Sequence, residues 1–159
     1  MTHAPALQDA VSAFNATAAF NRWAGYAVAH AEAGSVDLRI DWRADFGQYA
    51  GFRHAAMIGG MIDTACGFAA FTVVGHVLAS HVSINCLAPA SGSALVARGR
   101  VVRAGRRQVF ARAGLFALEA GVERLVATGD VILVPLAPAT PTAAAGPIAS
   151  ETPADASAR

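Results

Sequence analysis

The period of the apolar residues changes along this chain from helical to alternating, then to an unbroken apolar run, and finally back to alternating. Between Ala6 and Arg22, the positions Leu7, Val11, Phe14, Ala18 and Phe20 keep roughly helical spacing, which predicts an amphipathic helix on the outside of the fold. From Tyr26 to Glu32 and from Ser35 to Trp42 apolar and polar residues alternate about Ala33-Gly34, which predicts a β-hairpin. In its second strand Val36, Leu38, Ile40 and Trp42 share one face and Asp37, Arg39 and Asp41 the other, the pattern of a half-exposed antiparallel strand. A loop, RADFGQYAGFR, leads to His54 and then to the apolar run AAMIGGMIDTACGFAAFTVV, Ala55 to Val74, predicted to be one helix that ends at Gly75. Four further strands are predicted at His81 to Leu87, Ala94 to Arg103, Gln108 to Leu118 and Arg124 to Val134, separated by the turn-rich PASGS, AGR and EAGVE.

Strands before and after one central helix, without βαβ alternation, indicate an α+β fold with a mainly antiparallel sheet. A helix that is apolar all round has to be enclosed, so the sheet should curl around it. The 159 residues suffice for one domain with an ordinary core. The organisation expected is a helical segment over 1–25, the sheet-and-helix domain over 26–136, and a tail over 137–159. That tail is dense in Pro, Ala, Thr and Ser, with little to bury, and reads as disordered.

Charge removes several classes of partner. The formal net charge is +1, with 12 basic and 11 acidic residues spread along the chain, so neither a nucleic acid nor an anionic membrane surface is an expected partner. All the basic residues are Arg and Ala is abundant, as in chains from GC-rich genomes. The apolar run is long enough to cross a membrane, but Asp63 at its centre would cost about 2.5–3.5 kcal/mol there and no basic cluster flanks it. A buried helix of a globular protein fits better. The N-terminal MTHAPALQDAVSAF has no basic region leading into an apolar stretch, so no secretory signal is read and a cytoplasmic setting is expected. Cys66 and Cys86, both in apolar elements and outside any metal-spaced cluster, read as buried free thiols. The five histidines show no metal-ligand spacing, and no metal is expected.

The informative residue is Asp63. An uncompensated carboxylate inside an apolar helix is costly unless something bonds it, neutralises it or uses it. Alone, it suits a structural carboxylate held by an Arg or a helix N-terminus as well as it suits a catalytic one. Its neighbours change that balance. Gln48, Gly51, His54, the small pair Ala55-Ala56 and Asp63 fall at fixed spacings, the acid nine positions after the histidine.

In these positions the chain resembles the hotdog-fold acyl-CoA thioesterases, in particular the branch related to the phenylacetate-pathway thioesterase. That branch has Asn or Gln, then Gly, then His, a small-small pair and an acid in this register. SINCLAPASGSALVARGRVVRAGR resembles the family's strand ending in Leu-x-Pro-Ala and the strand that follows it into a Gly-Arg turn. The similarity spans about Val36 to Val134. The resemblance implies a hotdog fold, an antiparallel sheet wrapped around the long helix, working as a homodimer or a dimer of dimers on an acyl-CoA, with no cofactor beyond that substrate.

Hydrolysing a thioester needs an oxyanion donor and an activated water or a nucleophile. The amides of Ala55 and Ala56, in the first helical turn, are expected to point out of the positive end of the helix toward a carbonyl oxygen. Asp63 is the expected base or nucleophile, its pKa moved toward neutrality by burial. Nine residues separate the junction at His54 from Asp63, about 13.5 Å of helix, so one carbonyl group meets both ends only if they come from different subunits. Gln48 and His54 would orient the carbonyl or the water, with Gly51 beside them. Arg106 and Arg107 of the Gly-Arg turn are candidate phosphate contacts for CoA. Phe46, Tyr49, Phe52, Met57 and Met61 are candidates to line the acyl pocket.

Two departures from the family pattern are visible. Ala55-Ala56 stands where many members have Gly-Gly, which keeps the amides. Gly67 and Ala79 stand where many members place a Ser or Thr near the acid, leaving Thr64 or Ser80 as substitutes. Two other readings therefore stay open: a hotdog hydratase or dehydratase, although the Pro- and Gly-rich His motif of those enzymes is missing, and a non-catalytic acyl-CoA-binding protein.

Overall fold

The computed structural model describes residues 4–136, so the tail expected over 137–159 lies outside the described residues. The elements in order are α1 (Ala4–Asn15), α2 (Ala19–Ala24), β1 (Ala27–Glu32), β2 (Ser35–Asp41), a short 3-10 turn (Ala44–Phe46), α3 (Ala55–Val74), β3 (Val77–Cys86), β4 (Ala94–Ala104), β5 (Val109–Glu119) and β6 (Val122–Pro135). The six strands form one antiparallel sheet in the order β1-β2-β4-β5-β6-β3, and α3 packs against its inner face: this is the hotdog fold.

The alternating residues meet the helix as their period requires. Val36, Leu38 and Ile40 of β2, Leu95 and Ala97 of β4, and Ala111, Ala113, Leu115 and Ala117 of β5 are all buried. So many buried alanines serve a purpose beyond genome composition. They let the helix approach closely, and at Gly99 a Cβ would stand 2.3 Å from the Ala65 carbonyl oxygen, so helix backbone rests on sheet backbone there. Thr72 fastens the far end: its hydroxyl donates to the Ala69 carbonyl at 2.6 Å and accepts from the Gly34 amide at 2.7 Å, tying α3 to the β1–β2 turn.

Three elements differ from the sequence reading, each for a local reason. The single N-terminal helix is broken after Asn15. The Thr17 hydroxyl donates to the Phe14 carbonyl, and the Arg22 guanidinium donates to the Ala16 and Thr17 carbonyls, capping α1 and turning the chain into α2. β3 begins at Val77, four residues before the predicted start, immediately after the Gly75 cap. Its alternation is blurred because almost every β3 position is exposed or half-buried, Leu78, Val82 and Ile84 included, and a bulge falls between Ala79 and His81. Trp42, expected to face inward with Ile40, lies beyond β2, 38% exposed, under the Arg53 guanidinium.

The sheet and α1 leave α3 incompletely covered. Gly60, Asp63, Thr64, Gly67, Phe71 and Val74, at helical spacing along one stripe, are only half-buried. Phe14 of α1 covers the C-terminal part of the stripe, stacked on Phe71 with ring centroids 4.7 Å apart and tilted against Phe68 at 5.9 Å. The two edges of the sheet are unlike: α1 packs on β1, whereas β3 presents an apolar edge that nothing among the described residues covers.

Candidate active site

Two separate concavities lie along α3. The first surrounds the helix N-terminus, has a volume of about 550 Å³, and is lined by Gln48, Tyr49, Phe52, Arg53, His54, Ala55, Ile58 and the segment Cys86 to Ala90. His54 is the N-cap residue, in extended conformation, and its Nδ1 accepts the Ala56 amide at 3.0 Å. A neutral His54 ring therefore carries its proton on Nε2, as a donor. The amides of Met57 and Ile58 reach the His54 carbonyl. The Ala55 amide has no acceptor among the described residues and opens on the cavity at the positive end of the helix. The sequence suggested two free amides; His54 uses one of them, and Ala56 does not line the cavity.

Backbone bonds hold the junction in place. The Arg53 amide donates to the Ala90 carbonyl at 3.1 Å and the His54 amide to the Phe46 carbonyl at 2.9 Å. Gln48 folds its own loop, its Oε1 accepting the Ala50 amide at 2.7 Å while its backbone pairs with Phe52 and Gly51. Arg53 is 3% exposed; its guanidinium stacks over Trp42 and donates through Nη2 to the Gly92 carbonyl at 3.0 Å, and burial lowers its pKa. Sequence reasoning passed over Arg53, although its place beside the motif histidine was a signal. Leu87 to Ala90, the Leu-x-Pro-Ala segment, form the opposite wall.

The second concavity, of about 240 Å³, is lined by Asp63, Thr64, Gly67 and Phe68 of α3, by Phe14, Thr17, Ala18 and Asn21 of the N-terminal segment, and by Val77, Leu78, Ala79 and Leu133. It shares no residue with the first. Burial raises the pKa of Asp63, and no hydrogen bond or ion pair from the described residues offsets it. The structural role considered for Asp63, held by an Arg or a helix N-terminus, has no counterpart among the described residues. Gly67 and Ala79, the positions without hydroxyls, both face this cavity, and Thr64 also lines it. Cys66, one turn away, is fully buried, and burial, reinforced by Asp63 and Asp130, pushes its thiol up to about 12; it stays protonated.

Several expectations are corrected. Cys86 is exposed, on the wall of the first cavity, because β3 is an uncovered edge strand. Phe46, Met57 and Met61 belong to the core, and only Tyr49 and Phe52 of the five candidate acyl contacts line the first cavity. Ser80 lies in neither cavity; at the bulge its hydroxyl donates to the Ile132 carbonyl at 3.1 Å. Gly51, with φ 77°, forms the turn beneath the loop and lines a small polar cleft with Trp42, Arg53, Ser91 and Gly92. Arg106 and Arg107 are exposed in the β4–β5 turn, remote from both cavities of the same protomer. Among the described residues no cluster of three or more His, Cys, Asp or Glu is placed to hold a metal ion.

A sheet wrapped on one long helix, with an open amide at the helix N-terminus and an unpaired carboxylate along it, defines a hotdog protein of the thioesterase type. The chain belongs to the thioesterase superfamily, whose family model matches residues 50–123. A thioesterase family protein from Silicibacter pomeroyi is 30% identical, with a TM-score of 0.77 over 80% of this chain and 96% of that one. A conserved protein from Pseudomonas aeruginosa (20% identical, TM-score 0.69, 75% of this chain and 94% of that one) shares the fold. So does zebra fish thioesterase superfamily member 2 (16%, TM-score 0.71, 85% and 99%). No curated protein matches the chain.

Proposed function

We propose that this protein is an acyl-CoA thioesterase that acts as a homodimer, with the Ala55 amide of one subunit and Asp63 of the other meeting at each site. The observation that carries the reading is the pairing of an unused amide with an unused carboxylate on one helix, about 12 Å apart at 1.5 Å per residue. Neither has a partner among the described residues, and they lie in separate cavities.

The uncovered strand supports bringing them together across subunits. When two copies of Val77–Cys86 pair antiparallel about their centre, Val77 of one lies opposite Cys86 of the other. Val77 to Ala79 line the Asp63 cavity and Cys86 to Ala90 line the Ala55 cavity, so that pairing sets the carboxylate of one subunit beside the amide of its partner. It also covers Leu78, Val82 and Ile84. The β4–β5 turn lies at the Val77 end of the sheet, since Val109 pairs with Leu133 and Val77 with Pro135. Arg106 and Arg107 would then face the partner's cavity, in place to meet CoA phosphates.

In the reaction, a water oxygen attacks the thioester carbonyl carbon and passes its proton to Asp63, or the carboxylate attacks first as a nucleophile. The charge that collects on the carbonyl oxygen is held by the Ala55 amide, with the His54 Nε2–H as a second donor. Collapse breaks the C–S bond: on the water route the acid is released and the proton held by Asp63 goes to the CoA thiolate, and on the nucleophilic route an acyl–Asp63 anhydride remains, which a water hydrolyses to the acid while its proton goes to the thiolate. Tyr49, Phe52, Ile58 and Leu87 make the first cavity apolar enough for an aromatic or aliphatic acyl group.

The test is CoA release, read by a thiol-reactive dye, from aromatic and short-to-long aliphatic acyl-CoAs by wild type and Asp63→Asn. Turnover that is lost in the mutant supports hydrolysis. Binding of the thioesters with no turnover across the panel supports the second reading, a non-catalytic acyl-CoA-binding protein, which the hydroxyl-free wall at Gly67 and Ala79 favours.

A further inference from the structure

Deepening the proposed role of Asp63, and resting on it, we propose that Tyr26 is a positioning residue whose hydroxyl supplies the hydrogen-bond donor that the Asp63 carboxylate otherwise lacks. Tyr26 stands outside the family match over 50–123, just before β1. It is 5% exposed, and its hydroxyl is buried with no hydrogen-bond partner. A buried donor without an acceptor is rare in folded proteins and calls for a reason.

The position of the ring supplies one. The Tyr26 oxygen lies over α3 at Gly60, where a Cβ would come within 2.9 Å of it. Gly60 and Asp63, three apart, share a helix face, and helical side chains lean toward the N-terminus of their helix. Asp63 thus stands one turn along the helix face that Tyr26 covers, within reach of a rotation of either side chain, although the two make no hydrogen bond in this structure. Burial, reinforced by the charge of Asp63, raises the pKa of the phenol and keeps it a donor at working pH. A buried donor without a partner and a half-buried acceptor without a partner thus share one helix face.

The N-terminal segment is built to hold the ring there. The Asn15 side-chain amide donates to the Tyr26 carbonyl at 2.7 Å, the Asn21 amide to the Asn15 side-chain oxygen at 3.0 Å, and the Tyr26 backbone amide to the Asn21 carbonyl at 3.0 Å. Phe20 meets the Tyr26 ring edge to face at 5.9 Å. Asn21 also lines the Asp63 cavity. The segment that closes this cavity thereby replaces the hydroxyl missing at Gly67 and Ala79. Among the described residues that line the Asp63 cavity none but Asp63 is titratable: the N-terminal wall offers Phe14, Thr17 and Asn21 and the strands offer Val77, Leu78, Ala79 and Leu133, while Tyr26 and Cys66 lie beside the carboxylate outside that lining.

The experiment compares wild type with Tyr26→Phe, which keeps the ring, by two readouts: the pH profile of kcat and KM, and the titration of the Asp63 carboxyl carbon by 13C NMR. Loss of the donor should lower kcat about 10- to 100-fold with little change in KM. It should also raise the Asp63 pKa by about one unit, moving the acid limb of the profile upward. An unchanged Asp63 titration overturns the proposal, whether or not kcat falls. If wild type hydrolyses no acyl-CoA, the thioesterase reading fails, but the NMR titration still decides whether Tyr26 bonds Asp63. Gly60→Ala, whose new methyl displaces the hydroxyl, should shift the same titration in the same direction, and covers the case of a Tyr26→Phe protein that does not fold.

Discussion

The two cavities along α3 differ in what each has in excess. At the helix N-terminus the backbone supplies a donor that no local acceptor uses, in a wall made of two short stretches of sequence, 48–58 and 86–90. Around Asp63 there is a carboxylate that no local donor satisfies, in a wall drawn from α1, α2, α3, β3 and β6. Both groups stay open to solvent in the protomer, Ala55 exposed and Asp63 half-buried, where a substrate could reach them. On the proposed reading, the contrast makes the protomer half of a device. Each cavity carries what the other lacks.

The largest effect is expected from removing the excess in the second cavity. Asp63→Asn should lower kcat by about 10²- to 10⁴-fold while the dimer and the fold persist, as checked by steady-state kinetics and analytical ultracentrifugation. Stability should move the other way. Burial raises the folded-state pKa of Asp63, so the stability it contributes is fully present below the unfolded carboxylate pKa and is lost as pH rises through the folded value. Asp63→Asn should therefore melt higher than wild type at neutral pH, with the difference vanishing in acid. A lower melting temperature at neutral pH would make Asp63 structural.

Removing the excess in the first cavity should have a slightly smaller effect. Ala55→Pro deletes the free amide at a helical position that tolerates proline, and should cost about 10²- to 10³-fold in kcat. The pair of mutants also tests whether the cavities act across subunits. Mixing Asp63→Asn with Ala55→Pro, with subunit exchange, should restore about a quarter of wild-type activity, since half the dimers are mixed and each holds one intact site. No recovery in demonstrated mixed dimers would place both groups in one protomer's site.

Much of the first cavity was legible before any coordinates. Its residues are consecutive, and one motif register from Gln48 to Ala55 together with the Leu-x-Pro-Ala segment reaches most of its wall. The second was legible only at Asp63, because a charge inside an apolar run is visible in one dimension while the residues that surround it are not. Phe14 and Asn21 lie more than forty positions before Asp63 and show only the mild amphipathicity of an outer helix. Tyr26 reads as one more strand residue. The fold was legible for a related reason: β2 and β5 alternate cleanly because one side is packed on α3, and β3, exposed on nearly every position, lost its first four residues to the same logic.

The edge strand offers a break in the comparison itself. Val82→Lys puts a charge near the centre of the uncovered β3 edge, where only pairing with a second copy would bury it. The expected product is a folded monomer whose activity falls in step with its loss of dimer, so that raising protein concentration restores part of it. A fully active monomer would separate the two cavities for good and remove the case for a shared site.

The smallest effect is expected at the thiols, and it sharpens the contrast between the cavities. Cys86 is exposed on the wall of the Ala55 cavity, whereas Cys66 is buried beside Asp63 with its thiol pushed up to about 12. A maleimide should therefore label Cys86 alone in the native protein, read by mass spectrometry of the peptides, with Cys66 reacting only after denaturation. Because Cys86 lines the cavity without donating to the oxyanion, labelling should raise KM several-fold through crowding and change kcat less, and Cys86→Ser should abolish the effect at nearly wild-type activity. Loss of kcat in Cys86→Ser itself would give the thiol a chemical part in the reaction. Protection of Cys86 by acyl-CoA would place the substrate in the cavity that holds the free amide, which the carboxylate cavity, with Cys66 sealed behind it, has no equivalent means of reporting.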